Sequence, residues 1–552
     1  MKRIITAIFL CGALVSCNDF LDMTPKDSIS DKVMWASTES AEYAVNSIYS
    51  YAYDIFAVWP SSVGMTEAFT DEFKYGSYVN FAMCLIPSQV AYGGTNLTNS
   101  FVSVYLGCWG SLYNAIRRTN EALANLHSLG TGLPEDVQVR LEGELRLMRG
   151  WLYFELVKRY KDVIIYDEDL SAIAIDKALS TEEQGWDFIY EDLSAAAGVL
   201  PAKASARGRL DRGAALALIT RAMLHAGRWD KVIEAADALE QLGYALESDY
   251  ANAFIKSAAA GNSEAILQYC FSYADGLTHD FDFYYTPGGD YKLVGQQGGG
   301  YGTPTQEMVE SYELATGGFP DWSIWHGSTT AEPPYAQLEP RFHATILYNG
   351  APWKGRTIEP WVGGTDGWCQ WNKEPQPQGR TTTGYYLRKF VDESHDLASR
   401  SQSTQHFTLL RYGEVLLNKA EACYRNGDAD GANAAVKAIR ARAGLPWSNK
   451  SGDALWQAIR QERRVELAFE DQWYWDLRRW GDADKDWPTG LNNYQVHGLK
   501  IESTAVAGQY LYTYVSVDDR DRNFPSKMLR RFPIPDGELN SNSLVNQYPE
   551  WN

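Results

Sequence analysis

From Trp109 to Leu126 the chain reads WGSLYNAIRRTNEALANL, with apolar residues returning every three or four positions. After GTGLPED, Leu141, Leu145, Met148, Leu152 and Leu156 follow at spacings of four, three, four and four, which is one face of an α-helix. Leu133–Pro134–Glu135–Asp136 between them is a turn and a helix start. The same phrase recurs in GWDFIYEDLSAAAGVLP (185–201) and AALALITRAMLHAGRWDKVIEAADAL (214–239). In the latter Leu216, Ile219, Met223 and Ala226 share a face, Gly227 breaks the helix and Trp229 opens the next. Near the C-terminus Leu409, Tyr412, Leu416, Ala420 and Cys423 share a face, Asn426–Gly427–Asp428 turns the chain, and 432–443 continues to the stop at Gly444–Leu445–Pro446. A last helical stretch spans 454–481. Amphipathic pairs with small residues at their crossings are the pattern of tetratricopeptide-like hairpins. About four such pairs predict a rigid helical scaffold over roughly 104–240 and 406–481.

The interruption, about 241–405, is a different kind of text. From Phe281 to Gln405 it is rich in Gly, Pro and aromatic residues. GGDYKLVGQQGGGYGTPTQ (288–306) argues against a helix, because each Gly adds backbone entropy to be lost. RFHATILYNG and TGYYLRKFVD read as short strands. A second irregular stretch, Asp54 to Phe101, also collects aromatic residues. Loops set on a stiff frame are where binding usually resides.

The N-terminus adds a processing signal. Lys2 and Arg3 precede an apolar run, Ile4 to Val15, about a dozen residues and shorter than the roughly 20 a spanning helix needs. Ser16–Cys17 then gives way to acidic residues. This is an export signal, and a cysteine just after the cut is the arrangement of bacterial lipoproteins. The reading is a leader over 1–16, acylation of Cys17 that anchors the chain in a membrane without spanning it, and a polar tether over 17–34.

Charge and composition narrow the partners. Losing Lys2 and Arg3 from the 50 basic residues leaves 48 against 70 acidic ones, a net −22, which disfavours nucleic acid and anionic lipid headgroups. Aromatic residues reach 13% of the chain, with 34 Tyr, 20 Phe and 19 Trp, suited to binding surfaces as well as cores. Five cysteines remain beyond Cys17, odd in number and widely spaced, so no disulfide framework is expected.

Catalytic signatures are missing: there is no G-x-S-x-G, no G-x-x-x-x-G-K-[ST] and no H-E-x-x-H. A carboxylate pair suited to glycoside hydrolysis is compatible with the many acidic residues, but nothing singles out two of them. QERRVELAFEDQWYWDLRRWG (461–481) is charge-dense, and its alternating signs at helical spacing read as an ion-pair and cation–π network. Acidic loops leave room for bound calcium; no cofactor or metal ligand set is expected.

Taken together, SCNDFLDMTPKD, RLMRGWLYFELVKRYKDV (146–163), TPTQEMVESYELATG (303–317), EPRFHATILYNGAPWKG (339–355), TGYYLRKFVDE (383–393), RYGEVLLNKAEA (411–422), the segment 461–481 and FPIPDGELNSNSLVNQYPEW (532–551) resemble the SusD/RagB family of Bacteroidetes outer-membrane lipoproteins. Lys161 stands where that family usually has Gly. The resemblance implies an all-α fold of four tetratricopeptide-like pairs, with an irregular, loop-rich, short-strand region packed on one side. It implies one domain over 35–552, closed by a C-terminal segment 482–552. It also implies a surface-exposed, lipid-anchored outer-membrane protein that captures glycans and acts as lid to a SusC-like, TonB-dependent barrel transporter, without being an enzyme. Some relatives capture peptides instead.

A sugar ring has an apolar C–H face and a hydroxyl edge, so flat rings on fixed loops would hold it at little conformational cost. The candidate glycan-binding residues are Trp59, Tyr75, Tyr78, Phe81 and Tyr92 from the first irregular stretch and Tyr284, Tyr285 and Tyr291 from the second. Trp109, Tyr113, Trp151, Trp473 and Trp475 lie on helical faces and belong to the core, while Trp353, Trp361, Trp368 and Trp371 stay open.

Overall fold

In a computed structural model the described residues are 30–56, 66–76, 108–169, 176–206, 208–255, 257, 260–293, 298–370, 379–400, 402–518, 521–524 and 530–551. The long helices are α1 (Thr38–Phe56), α2 (Trp109–Leu129), α3 (Glu135–Tyr160), α4 (Glu182–Val199), α5 (Arg212–Ala226), α6 (Trp229–Glu240), α7 (Tyr412–Arg425), α8 (Ala429–Arg442), α9 (Gly452–Glu466) and α10 (Trp473–Arg479). Their ends follow local chemistry. Thr181 opens α4 with a reciprocal capping box: the Gln184 amide N–H donates to Thr181 Oγ1 at 3.3 Å, and the Thr181 N–H donates to Gln184 Oε1 at 2.9 Å. Asp211 caps α5 by accepting from the Ala214 N–H at 2.9 Å. Gly227, in the left-handed region, ends α5.

Each helix packs on its neighbour in sequence, from α2 through α6. Leu141, Leu145, Met148, Leu152 and Leu156 are all buried, as their spacing predicts. Close approach depends on small residues: a Cβ at Gly150 of α3 would stand 2.9 Å from Leu193 Cδ2 of α4. The series then crosses the interruption in space, because α6 packs on α7, and α7 on α8 and α9. Strand β2 (Ala265–Tyr269) pairs antiparallel with β4 (Phe407–Arg411) beside this junction. The two ends of the irregular region are therefore neighbours, and the scaffold is continuous. This is the expected all-α frame with short strands at its side. β1 (Phe73–Tyr75) pairs with β3 (Gly302–Pro304), and β5 (His497–Ser503) with β6 (Tyr510–Ser516); the other strands among the described residues are two-residue pieces.

Three local expectations are corrected. Leu409 belongs to β4, since FTLLR is paired to β2, and α7 begins only at Tyr412. RFHATILYNG is mostly not strand: Pro340–Thr345 is helical and only Ile346–Leu347 pairs. The stretch 454–481 is two helices, because the chain leaves the helix at Leu467 and takes positive φ at Phe469 and Asp471. That break buries Phe469 completely and turns Glu470 toward Arg411 and Lys389, both at 2.7 Å.

Glu470 belongs to a buried network at the junction of the two layers. Arg341 Nη1 meets Glu462 at 3.0 Å and Glu466 at 3.1 Å, while Arg411 meets Glu264 at 2.6 Å and Glu466 at 2.8 Å. Burial pushes the Glu466 carboxyl up, but the charges of Arg442, Arg411 and Arg341 outweigh it and hold the group well below the usual carboxylate range. Arg478 lies 4.9 Å over the Trp475 ring and 4.7 Å over Phe532. The charge-dense segment is thus a paired structural network.

Candidate ligand-binding site

The segment 66–76 is buried from end to end, although Thr66–Tyr75 reads TEAFTDEFKY. Most of its charges have internal partners; the exception is Glu72, whose two carboxylate oxygens are buried without a hydrogen-bond partner and whose carboxyl burial pushes well above the ordinary value. Asp71 takes Arg464 Nη2 at 2.9 Å, Lys74 pairs with Asp518, and Arg522 donates to the Thr70 carbonyl. Glu67 accepts the Asp471 N–H, and burial followed by the Asp471 charge pushes its carboxyl up to about 8. β1 at the end of this segment lies antiparallel to β3, with Phe73 opposite Pro304, Lys74 opposite Thr303 and Tyr75 opposite Gly302. The two irregular regions that the sequence separates by some 200 positions therefore meet in one place.

Next to this crossing lie the short helices Phe281–Tyr285 and Gly288–Leu293. The second corrects the expectation that 288–306 excludes helix. Glycine is required there by packing: a Cβ at Gly288 would collide with the Gly379 carbonyl oxygen. An ion cluster pins both helices. Arg356 Nη2 bridges Asp290 Oδ1 at 2.6 Å and Asp366 Oδ1 at 2.8 Å, and Asp366 also accepts the Gly289 N–H at 3.0 Å. Asp290 accepts from Thr286 Oγ1 at 2.6 Å and from Trp353 Nε1 at 3.0 Å. Burial works against ionised Asp290, yet these hydrogen bonds, with Lys354 nearby, keep its carboxyl below the ordinary value.

Of the eight candidate rings, four are described. Tyr75 is 4% exposed, Tyr285 0% and Tyr291 1%. Tyr285 stacks on Phe281 at 4.2 Å with planes 8° apart, and Tyr291 donates its hydroxyl to the Phe283 carbonyl. These three rings fill the core of the crossing, so they support a site from beneath and have no face for a ligand. Only Tyr284 is half-buried, tilted over Tyr301 at 4.9 Å. Trp59, Tyr78, Phe81, Tyr92 and Cys17, the residue expected to carry the lipid, lie outside the described residues. The rings assigned to the core are there: Trp109, Trp151, Trp473 and Trp475 are buried, and Tyr113 packs against the same core. Of the open set, Trp353 is buried by Asp290, Trp361 and Trp368 are half-buried, and Trp371 lies outside the described residues.

Two rings were not picked out by sequence. Phe283 is half-buried beside Tyr284, and its place in FDFYY is a local signal. Trp487 is the one exposed tryptophan among the described residues. Its signal is the turn-rich DKDWPTG around it. Among the described residues no group of three or more His, Cys, Asp or Glu is placed to hold a metal ion. The site offers rings, hydroxyls and paired charges, which can bind a ligand by stacking and hydrogen bonding.

Comparison with known proteins accords with this architecture. The SusD family matches residues 263–551, and a second family, described as "Starch-binding associating with outer membrane", matches residues 19–224. A SusD-like protein of Bacteroides ovatus is 24% identical over 510 residues, covering 88% of this chain and 84% of its own. The crystal structure of a SusD-like protein from Bacteroides fragilis superposes with a TM-score of 0.77 at 25% identity, over 95% of this chain and 99% of that one. A second B. fragilis structure, a SusD-like carbohydrate-binding protein, gives 0.73 at 22% identity over 93% and 100%. With more than half of its length matched by the family and the same helical frame in the solved relatives, this chain belongs to the SusD family.

Proposed function

We propose that the protein captures oligosaccharide or polysaccharide at the cell surface and passes it to a SusC-like, TonB-dependent barrel transporter, for which it serves as lid. Cys17 carries the lipid that holds it to the outer membrane, residues 17–34 form the tether, and 35–552 act as one ligand-binding domain without catalytic activity. The observation that carries the reading is the match along most of the chain to families described as SusD and as starch-binding and outer-membrane-associating. The carbohydrate-binding relative from B. fragilis supports the ligand class. The geometry is compatible: Tyr284 stands half-buried against Tyr301, in the short helix beside the β1–β3 crossing.

The test is retention on polysaccharide affinity gels and calorimetry with oligosaccharides and oligopeptides in parallel. Wild-type protein is expected to be retained by a polysaccharide, and Ala substitution of Trp59, Tyr78, Phe81, Tyr92 and Tyr284 together to abolish retention with the circular dichroism spectrum unchanged. Binding of oligopeptides alone, or release of reducing ends from the polysaccharide, would overturn the proposal.

A further inference from the structure

Residues 481–494 form a loop tied to itself more heavily than its exposure requires. Its longest exposed run is 484–489, yet the Trp487 N–H donates to the Asn492 carbonyl at 2.8 Å, the Leu491 N–H to the Ala483 carbonyl at 3.1 Å and the Asn492 N–H to the Lys485 carbonyl at 3.2 Å. The Asn492 side chain donates to the Asp484 carbonyl at 3.1 Å and accepts the Phe524 N–H at 2.7 Å. At its tip Trp487 is 40% exposed. The indole is fixed on two sides: its plane lies 22° from that of Tyr494, with centroids 6.3 Å apart, and Nε1 donates to Asp71 Oδ2 at 3.3 Å. Asp71 is buried in the segment 66–76 and is itself held by Arg464.

An exposed tryptophan with its polar edge satisfied internally gains nothing for the fold from its bare surface, and its rigidity means that no rotamer freedom is lost when a flat ligand lies on it. Around it stand hydrogen-bonding groups: Asp486, Thr489 and Asn493, the last donating to Asp486 Oδ1 at 2.7 Å. Local charge is negative, because Asp484 and Asp486 are exposed while Lys485 is engaged by Asp482. Carboxylates beside a stacking ring repel anionic ligands at short range.

We propose that Trp487 is a second stacking ring for the glycan, set apart from Tyr284, and that it selects uncharged sugar units over uronates and sulfated sugars. The inference rests on the glycan-binding reading above and extends it to a loop of the C-terminal segment and to the charge class of the ligand.

The experiment uses the full mature chain and its W487A, W487F and Y284A variants. Affinity gels of soluble starch, laminarin and xylan serve as neutral probes, and polygalacturonate as the charged one; tryptophan fluorescence is followed with the soluble forms. A neutral probe is expected to retain the wild type, with W487A weakening affinity about tenfold, W487F less, and the circular dichroism spectrum unchanged although both lose the hydrogen bond to Asp71. The ligand-induced fluorescence change is expected to shrink in W487F. Unchanged affinity in W487A while Y284A weakens binding overturns the Trp487 assignment alone. Tighter retention by polygalacturonate overturns the charge selection. A wild-type chain retained by none of the probes overturns the glycan-binding reading and this inference with it. Normal glycan affinity in W487A together with loss of a co-purified barrel would place Trp487 at the transporter contact and refute the proposal.

Discussion

Tyr75 stands directly opposite Gly302 across the antiparallel β1–β3 pair. The missing side chain at Gly302 leaves room for the Tyr285 ring, whose Cδ1 would be 2.7 Å from an added Cβ, with Leu387 Cβ at 3.0 Å. One glycine thus lets two irregular stretches of the chain close on a common aromatic core.

Gly302→Val should therefore displace Tyr285 and loosen the crossing. Overpacking of this kind costs about 1–3 kcal/mol. Urea unfolding measures it, and glycan retention should fall in parallel. A wild-type midpoint in the variant would show that the crossing tolerates the volume.

Arg356 bridges Asp290 and Asp366, both buried. Arg356→Met leaves Asp366 without its counter-charge and Asp290 with only Lys354, at 3.5 Å. A loss of about 3 kcal/mol is expected, with weaker glycan binding through the displaced Tyr284. A double-mutant cycle with Tyr284→Ala reads the coupling: additive effects on affinity would mean that Arg356 does not act through that ring.

Glu67 is buried, and burial together with the Asp471 charge raises its carboxyl to about 8. Its folded value lies above the unfolded one, so the folded state holds the extra proton. The stability this contributes is complete below the ordinary glutamate value of about 4.3 and is lost as pH rises toward 8. Glu67→Gln should flatten the decline in unfolding free energy between pH 5 and 8.5. Parallel curves for wild type and variant would refute the assignment.

Arg411 contacts Glu264, Glu466 and Glu470 inside the junction. Arg411→Met should cost about 3–5 kcal/mol, because it strands buried carboxylates. For Glu470 burial acts upward, but Arg411 and Lys389 win and depress it. Its contribution is present above the ordinary glutamate value and lost as pH falls through the depressed one, so acid should narrow the gap between wild type and variant. Unfolding curves at pH 7 and pH 3 check both statements.

Cys17→Ser should abolish acylation and release the protein from the outer-membrane fraction. Fatty-acid labelling in the native host with cell fractionation tests it; a labelled, membrane-bound variant would remove Cys17 as the anchor.

The helices were legible because their signal is local. Leu141 to Leu156 declare one face by spacing alone. The short elements of the interruption were not. Gly288–Leu293 is helical against its composition because Asp366, Gly379 and Arg356, distant in sequence, take up its backbone and fix its side chains. Tyr75, Tyr285 and Tyr291 look like surface rings in text that is rich in Gly and Pro, yet they pack on one another's neighbours and are buried. Trp487 sits in the turn-rich DKDWPTG, but only the fold leaves its ring outside.

Sequence alone determined the amphipathic helical pairs, the acidic balance and the family resemblance, since each is written in neighbouring residues or in composition. Only the tertiary structure decided that the pairs form one continuous frame across the interruption, that segment 66–76 runs buried to meet 302–304, and which rings face water. The reason is physical. Periodicity specifies which side of a helix is apolar, but burial of an irregular loop depends on partners hundreds of residues away, and those contacts leave no period in the chain.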